Sequence, residues 1–160
     1  MTGLSAALGP IGIVDVAPRL AAVVRQRVGY AEMGRAQRHA RSLLEAALRD
    51  AGVVPDGPPL TVWRPLDGGL VDYAPGVFVP LPVAATGEVS LLTLPAGRAA
   101  HLRLTGFYAA LPAAWERLLA GCEARARTGL QWEVYTASGP DGDAAETDLF
   151  ALLHPSGAAP

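Results

Sequence analysis

The run LPAGRAAHLRLTGFYAALPAAWERLLA, residues 94–120, predicts a strand that passes through a short turn into a helix. Residues 88–105 are strand-like, with a break at Pro95-Ala96-Gly97. Pro112 falls in the first helical turn, where its missing N–H does no harm. Apolar residues then recur at helical spacing, at Leu111, Trp115, Leu118, Leu119 and Cys122.

Two more strands are predicted downstream of this run. The first contains QWEVY, residues 131–135, and the second is TDLFALL, residues 147–153. A polar loop, SGPDGD at 138–143, separates them. The second half of the chain therefore reads as strand, helix, strand, strand.

The first half of the chain shows the same order. Residues 11–28 are predicted to be extended and broken near Pro18. Apolar spacing predicts a helix over 31–51, which Gly52 ends. The strand LTVWRPL and an extended stretch up to FVPLPV, residues 78–83, follow.

The two halves align at three places. Gly29-Tyr30 matches Gly106-Phe107-Tyr108, Thr61-Val62-Trp63 matches Glu133-Val134-Tyr135, and Val77-Phe78-Val79 matches Leu149-Phe150-Ala151. The predicted fold class is α+β: duplicated strand-helix-strand-strand units that form an antiparallel sheet with two main helices and a central groove. The groove is expected at the seam between the two units, because ligand pockets often form at such junctions.

One domain is predicted over residues 11–153, with pseudo-repeats 11–85 and 88–153. Residues 1–10 are an N-terminal extension and 154–160 a C-terminal tail. So short an extension leaves no room for a DNA-binding helix-turn-helix, so a stand-alone module is expected.

Composition excludes several classes of function. A net charge of −2 argues against unaided nucleic-acid binding. No apolar run approaches a membrane span, and no signal peptide is apparent, so a cytoplasmic protein without membrane association is expected. The three histidines lie far apart, and no cofactor motif occurs, so neither a metal nor a cofactor is expected. The single cysteine, Cys122, is expected to be a core thiol.

Glu133 is the residue in QWEVY that needs an explanation. In a strand, Gln131, Glu133 and Tyr135 point to one face and Trp132 and Val134 to the other. If the Trp132 face packs on the core, Glu133 is either a solvated surface acid or part of a cavity lined by rings. The equivalent position in the first half is Thr61, so only one half contributes an acid.

Residues 94–120, together with the WEVY that follows them, resemble the second half of the GyrI-like small-molecule-binding domain, the effector-binding domain of bacterial multidrug-sensing and AraC-type regulators. The resemblance covers residues 11–153. It implies a duplicated fold whose groove accepts lipophilic, often cationic aromatic compounds, with Glu133 as the groove glutamate. The sequence departs from relatives that have a second acid before the Pro-Val of the first half, because Phe78 stands there.

The predicted ligand-binding set combines this glutamate with aromatic residues and one threonine from both halves: Glu133, Tyr135, Trp63, Tyr108, Tyr30, Phe78, Phe150 and Thr61. Plain packing is an equal alternative for Trp63 and Tyr135. Tyr30 and Tyr108 have the alternative role of fixing the turn before each helix, and burial alone would explain Phe78 and Phe150. Trp115 and Trp132 are assigned to the core.

Three functions remain open. The first is a binding protein for lipophilic aromatic cations. The second is a hydrolase of cyclopropane-bearing alkylating antibiotics, with Glu133 as general base, Tyr135 or Tyr108 polarising the carbonyl, and Asp72 or Glu32 as a second acid. The third is an inhibitor that binds a topoisomerase or a regulator as its protein partner.

Overall fold

The computed structural model describes residues 6–137 and 145–155, and within them the chain is α+β. Its helices and strands, in chain order, are β1 (Ala7–Leu8), β2 (Gly12–Val16), β3 (Arg19–Val24), β4 (Gln26–Gly29), α1 (Met33–Ala51), β5 (Pro59–Pro65), β6 (Leu70–Phe78), β7 (Val89–Leu94), β8 (Gly97–Thr105), α2 (Leu111–Ala120), β9 (Arg127–Ala137) and β10 (Glu146–Leu153). A short 3-10 turn precedes each helix, at Tyr30–Glu32 and Tyr108–Ala110.

The chain divides into two compact units. We call Pro18–Pro95 the continuous unit, and Met1–Ala17 together with Ala96–Pro160 the split unit. The boundaries fall beside the breaks predicted near Pro18 and Pro95. The strand predicted at the start of the first half, β2, belongs to the split unit because it pairs with β8.

The continuous unit contains an antiparallel sheet and helix α1. β6 pairs with β5 on one side and with β3 and β4 on the other, and β7 pairs with β3. Helix α1 buries one stripe of residues four apart, Ala36, Ala40, Leu44 and Leu48. The helix ends as predicted at Gly52, whose φ of 67° lies in the left-handed region that suits glycine.

The split unit contains the other five strands, also paired antiparallel, and helix α2. β8 pairs with β1 and β2 on one edge and with β10 on the other, and β10 pairs with β9. Helix α2 packs on β8 and β10 and buries Ala114, Trp115 and Leu118. Pro112 lies in its first turn, as predicted.

The α+β class, the antiparallel pairing and the two main helices that the sequence predicts are confirmed. The polar loop predicted at 138–143 lies outside the described residues. Neither α1 nor α2 is long and apolar enough to cross a lipid bilayer.

Candidate functional site

Glu133 lies in the interior of the split unit. Alternation along β9 puts it on the same face as Gln131 and Tyr135, and its partner across β10 is Leu149. Only 6% of Glu133 is exposed. The alternative of a solvated surface acid is therefore wrong.

Two neutral donors hold the carboxylate of Glu133. The indole Nε1 of Trp115 donates to Oε2 at 2.8 Å, and the hydroxyl of Tyr135 donates to Oε1 at 2.8 Å. In residues 6–137 and 145–155, no ion pair reaches this carboxylate. An acid with hydrogen bonds but no positive partner is therefore buried beneath α2.

Burial raises the pKa of Glu133 above its ordinary value. The hydrogen bonds from Trp115 and Tyr135 act in the opposite direction, because they favour the ionised form, but they do not cancel the effect of burial. A cation brought close to this carboxylate would replace the hydration that burial removed. The site is thus suited to a ligand that carries its own positive charge.

Aromatic rings lead from the surface to Glu133. Tyr108, in the turn before α2, is 43% exposed. Its ring meets that of half-buried Tyr135 edge-on, with centroids 5.9 Å apart. Because Tyr135 also binds the carboxylate, these two rings connect solvent with the acid, and either could stack on a flat cation.

Trp115 is a site residue that the sequence analysis assigned to the core. It is buried, as predicted, but its indole N–H binds Glu133. The internal repeat contained a signal that could have identified Trp115 as a site residue. Counting from the aligned Tyr30 and Tyr108, Gln37 occupies the position equivalent to Trp115. Gln37 donates through Nε2 to Thr61 at 2.6 Å, so in each unit a helix side chain binds the matched strand position.

Thr61 and Trp63, two predicted site residues of the continuous unit, contact other residues of that unit. Thr61 is fully buried, and Gln37 also donates to the hydroxyl of Tyr73 at 2.9 Å. Trp63 is partly buried against the cluster that contains Tyr73. Polar groups at this position are therefore paired with one another.

Tyr30 and Phe78 also lie in the continuous unit. Tyr30 is 56% exposed in the turn before α1. Phe78 is buried, and the guanidinium of Arg19 lies 3.5 Å from its ring centroid. The interior of the unit and this cation–π contact account for Phe78.

Phe150 is not brought together with Glu133. In the pairing of β9 with β10 it lies opposite Trp132, and Glu133 lies opposite Leu149, so the two residues point to different faces. The rings of Phe150 and Trp132 stack with centroids 5.3 Å apart. The Trp132 face therefore has its own aromatic cluster.

A second polar cluster lies on that same face around Asp148. Arg103 donates to both carboxylate oxygens, at 3.0 and 2.9 Å, and His101 and Thr136 also bind Asp148, at 2.7 and 2.9 Å. Burial by itself raises the pKa of Asp148, but these hydrogen bonds and the charge of Arg103 lower it below the usual value. Asp148 is thus an ionised structural acid.

Asp72 and Glu32, the two candidates for a second acid, form ion pairs within the continuous unit. Asp72 pairs with Arg25 at 2.9 Å. Glu32 pairs with Arg35 at 3.0 Å and accepts a hydrogen bond from the backbone of Gly29. Neither residue hydrogen-bonds to Glu133 in the described part of the chain.

Metal and thiol chemistry receive no support from the described residues. Within 6–137 and 145–155, no three His, Cys, Asp or Glu side chains lie close enough to share a metal ion. Burial raises the pKa of the Cys122 thiol, which donates to the carbonyl of Leu118. A raised pKa disfavours the nucleophilic thiolate.

Comparison with known families and structures agrees with this architecture. The sequence model described as the GyrI-like small-molecule-binding domain matches residues 10–148. No curated protein sequence matches.

Among solved structures, the C-terminal domain of EcmrR is 14% identical with a TM-score of 0.74, over 91% of this chain and 98% of that one. In the EcmrR–DNA complex the chain spans only 57% of EcmrR, with a TM-score of 0.73 and 14% identity.

Two further structures are similar. SAV2435 bound to tetraphenylphosphonium is 13% identical with a TM-score of 0.67, over 91% of this chain and 94% of that one. A hydrolase encoded by lin2189 from Listeria innocua is 13% identical with a TM-score of 0.60, over 90% and 91%. At these identities the similarity shows the fold.

Proposed function

The chain belongs to the family of GyrI-like small-molecule-binding domains, and on that premise we propose that it binds lipophilic aromatic cations at Glu133. The observation that carries the proposal is a carboxylate only 6% exposed that is held by Trp115 and Tyr135 and has no positive partner in the described residues. SAV2435, which shares the fold, is bound to tetraphenylphosphonium, an ion of this class.

In this proposal, ligand binding replaces a neutral hydrogen-bond donor of Glu133 with a positive charge. The ligand enters beside Tyr108 and displaces the hydroxyl of Tyr135 from the carboxylate. The cation then stabilises ionised Glu133 in a poorly hydrated interior, and each well-placed ring adds about 0.5–2 kcal/mol of cation–π attraction. Because charge and ring faces are shared by many flat cations, the proposed site accepts varied shapes.

The predicted binding residues of the continuous unit rank below those of the split unit in this proposal. Thr61, Trp63, Tyr30 and Phe78 remain predicted ligand-binding residues, within one domain predicted over 11–153. We place Glu133, Tyr135 and Tyr108 first, because the split unit brings these three side chains together. We exclude Phe150, since it points to the other face of β9 and β10.

The test uses two ions of the same shape and opposite charge. We expect the protein to bind tetraphenylphosphonium and not tetraphenylborate in calorimetric titrations. Glu133→Gln keeps the size of the side chain and is expected to weaken phosphonium binding by about 10–100-fold, the range for a hydrogen bond or ion pair to a charged group. Glu116→Gln, at an exposed position of α2, is the matched control and should leave binding unchanged. Equal affinity of the Glu133→Gln and unaltered proteins would refute the role of the charge.

Hydrolysis is the second candidate function. It is favoured by the likeness to the Listeria innocua hydrolase and by the raised pKa of Glu133, because a raised pKa makes a carboxylate a stronger base. Incubation with a cyclopropane-bearing alkylating compound tests it. A product that has gained one water, formed by the unaltered protein and not by Glu133→Gln, would support hydrolysis. Recovery of the unchanged compound would contradict hydrolysis and leave binding as the proposed function.

A protein partner is the third function that the sequence analysis left open. It stays a prediction, because the described residues show no feature that favours a topoisomerase or a regulator as the partner.

A further inference from the structure

Two polar groups close to Glu133 have no hydrogen-bond partner. They are the amide Nε2 of Gln131 and the hydroxyl of Thr147. Gln131 is 5% exposed and Thr147 is fully buried, so bulk water does not reach either group. Buried polar groups in folded proteins are almost always hydrogen-bonded, so these two exceptions on neighbouring strands require an explanation. The other two such groups in the described part of the chain are the Nε atoms of Arg98 and Arg127.

Both groups lie on the face of the sheet that carries Glu133. Gln131 precedes Glu133 by two residues on β9, and Thr147 on β10 lies directly opposite Tyr135. From strand geometry, the backbone of each lies about 7 Å from that of Glu133. Gln131 and Thr147 therefore flank the acid, one towards each end of β9.

The continuous unit differs at the positions that match these residues. By the alignment of the halves, Gln131 matches Pro59 and Thr147 matches Pro75, and a proline side chain has no donor. Thr61, which matches Glu133, accepts from Gln37, and the same amide reaches the hydroxyl of Tyr73. The two unpartnered groups thus belong to the unit that carries the buried acid. Packing of a strand-helix-strand-strand unit does not by itself require them.

We propose that Gln131 and Thr147 bind oxygen acceptors on the ligand, so that the ligands are aromatic cations that also bear a carbonyl or ether oxygen. This inference rests on the proposed binding of cations at Glu133. An amide nitrogen can only donate, and a hydroxyl can donate, so an acceptor is the group that both would bind. Glu133 binds the charge, and these two donors select among cations.

The test is a pair of phosphonium ions that differ in one group. Tetraphenylphosphonium with a para-acetyl group offers a carbonyl oxygen on one ring, and the para-isopropyl ion has almost the same size and no acceptor. We expect the unaltered protein to bind the acetyl ion about 5–10-fold more tightly, the effect of one good hydrogen bond. Equal affinities for the two ions would overturn the inference.

Variants of Gln131 and Thr147 test whether these residues cause the preference for the acetyl ion. Gln131→Met and Thr147→Val keep the approximate shape and remove the donors. The double variant is expected to bind both ions with the affinity that the unaltered protein has for the isopropyl ion. A preference that survives in the double variant would also overturn the inference.

A different experimental result would contradict the proposal that Glu133 binds cations. If Glu133→Gln binds the isopropyl ion as well as the unaltered protein does, the proposed function fails. If Glu133→Gln loses affinity while the acetyl and isopropyl ions bind alike to the unaltered protein, only the inference about the donors fails.

Thermal unfolding without ligand tests whether the donors have a structural role. Removing unpartnered buried polar groups should leave the melting temperature of Gln131→Met and Thr147→Val unchanged or higher. A clear fall in melting temperature would mean that these groups are hydrogen-bonded in the free protein, and would overturn the proposal.

Discussion

The indole of Trp115 on α2 donates a 2.8 Å hydrogen bond to the carboxylate of Glu133 on β9, 18 residues further along the chain. Through this contact the helix holds a buried acid. The same carboxylate accepts from Tyr135 on its own strand. If Glu133 binds a cation as proposed, binding and the stability of the split unit are coupled through this residue.

Trp115→Phe is expected to lower the free energy of unfolding by about 1–3 kcal/mol, because a buried carboxylate loses a donor. Loss of that donor also raises the pKa of Glu133 further, since the hydrogen bond favours the ionised form. Urea unfolding at neutral pH measures the first effect, and unfolding from acidic to neutral pH measures the second. Trp132→Phe is the control, because Trp132 packs on the other face and its loss should not change the pH dependence that Glu133 causes.

Glu133→Gln is expected to stabilise the ligand-free protein at neutral pH by on the order of 1 kcal/mol, or about 2–4 °C in melting temperature. A carboxyl whose folded pKa is raised binds more protons in the folded state than in the unfolded one. Stability of the unaltered protein therefore falls as the pH rises from the unfolded pKa, about 4.3, to the raised folded value.

Melting temperatures across the acidic to neutral range check this expectation. The difference between Glu133→Gln and the unaltered protein should grow as the pH rises through that window. A constant difference would show that Glu133 does not titrate differently in the two states.

Asp148→Asn is expected to destabilise the protein by about 1–3 kcal/mol at neutral pH, since Arg103 and His101 lose a charged acceptor. The pKa of Asp148 is lowered in the folded state. Its contribution to stability is therefore present above the unfolded pKa, about 3.9, and is lost as the pH falls through the folded value.

Urea midpoints at neutral and strongly acidic pH measure the effect of Asp148→Asn, and the gap to the unaltered protein should narrow in acid. Glu123→Gln is a suitable control, because the Glu123–Arg125 pair is exposed on both sides and such pairs contribute little. A gap that widens towards low pH would contradict the expectation.

Two glycine substitutions, one in α1 and one directly after its end, are expected to act in opposite directions. Gly52→Ala should lower stability by about 1 kcal/mol, because its φ of 67° disfavours a side chain. Gly34→Ala, in an exposed turn of the same helix, should raise stability by about 0.4–1 kcal/mol, since the added methyl group meets only Arg38 at 3.6 Å. Thermal unfolding of both variants provides the comparison, and destabilisation by both would contradict it.

Local patterns in the sequence predicted most of the elements. Helix α1 follows from apolar residues at a spacing of four and from Gly52, and the break between β7 and β8 follows from Pro95. These features depend on neighbours along the chain. For the same reason, the turns before each helix could be located at Tyr30 and Tyr108.

Partners of the acid could not be predicted in the same way. An apolar stripe marks Trp115 as buried, but the strand residue that it meets depends on how α2 packs on the sheet. Likewise, the position of Phe150 opposite Trp132 depends on the register between β9 and β10, and a shift of one residue would put it on the face of Glu133.

The sequence alone determined the α+β class, the order of the elements and Glu133 as the candidate binding acid, because spacing, turn residues and internal repetition act over short stretches of chain. Only the tertiary structure decided that Glu133 is buried, that Trp115 and Tyr135 hold it, and that Gln131 and Thr147 stand beside it without partners. These properties arise from strand register and helix packing, which bring together side chains that are distant in sequence.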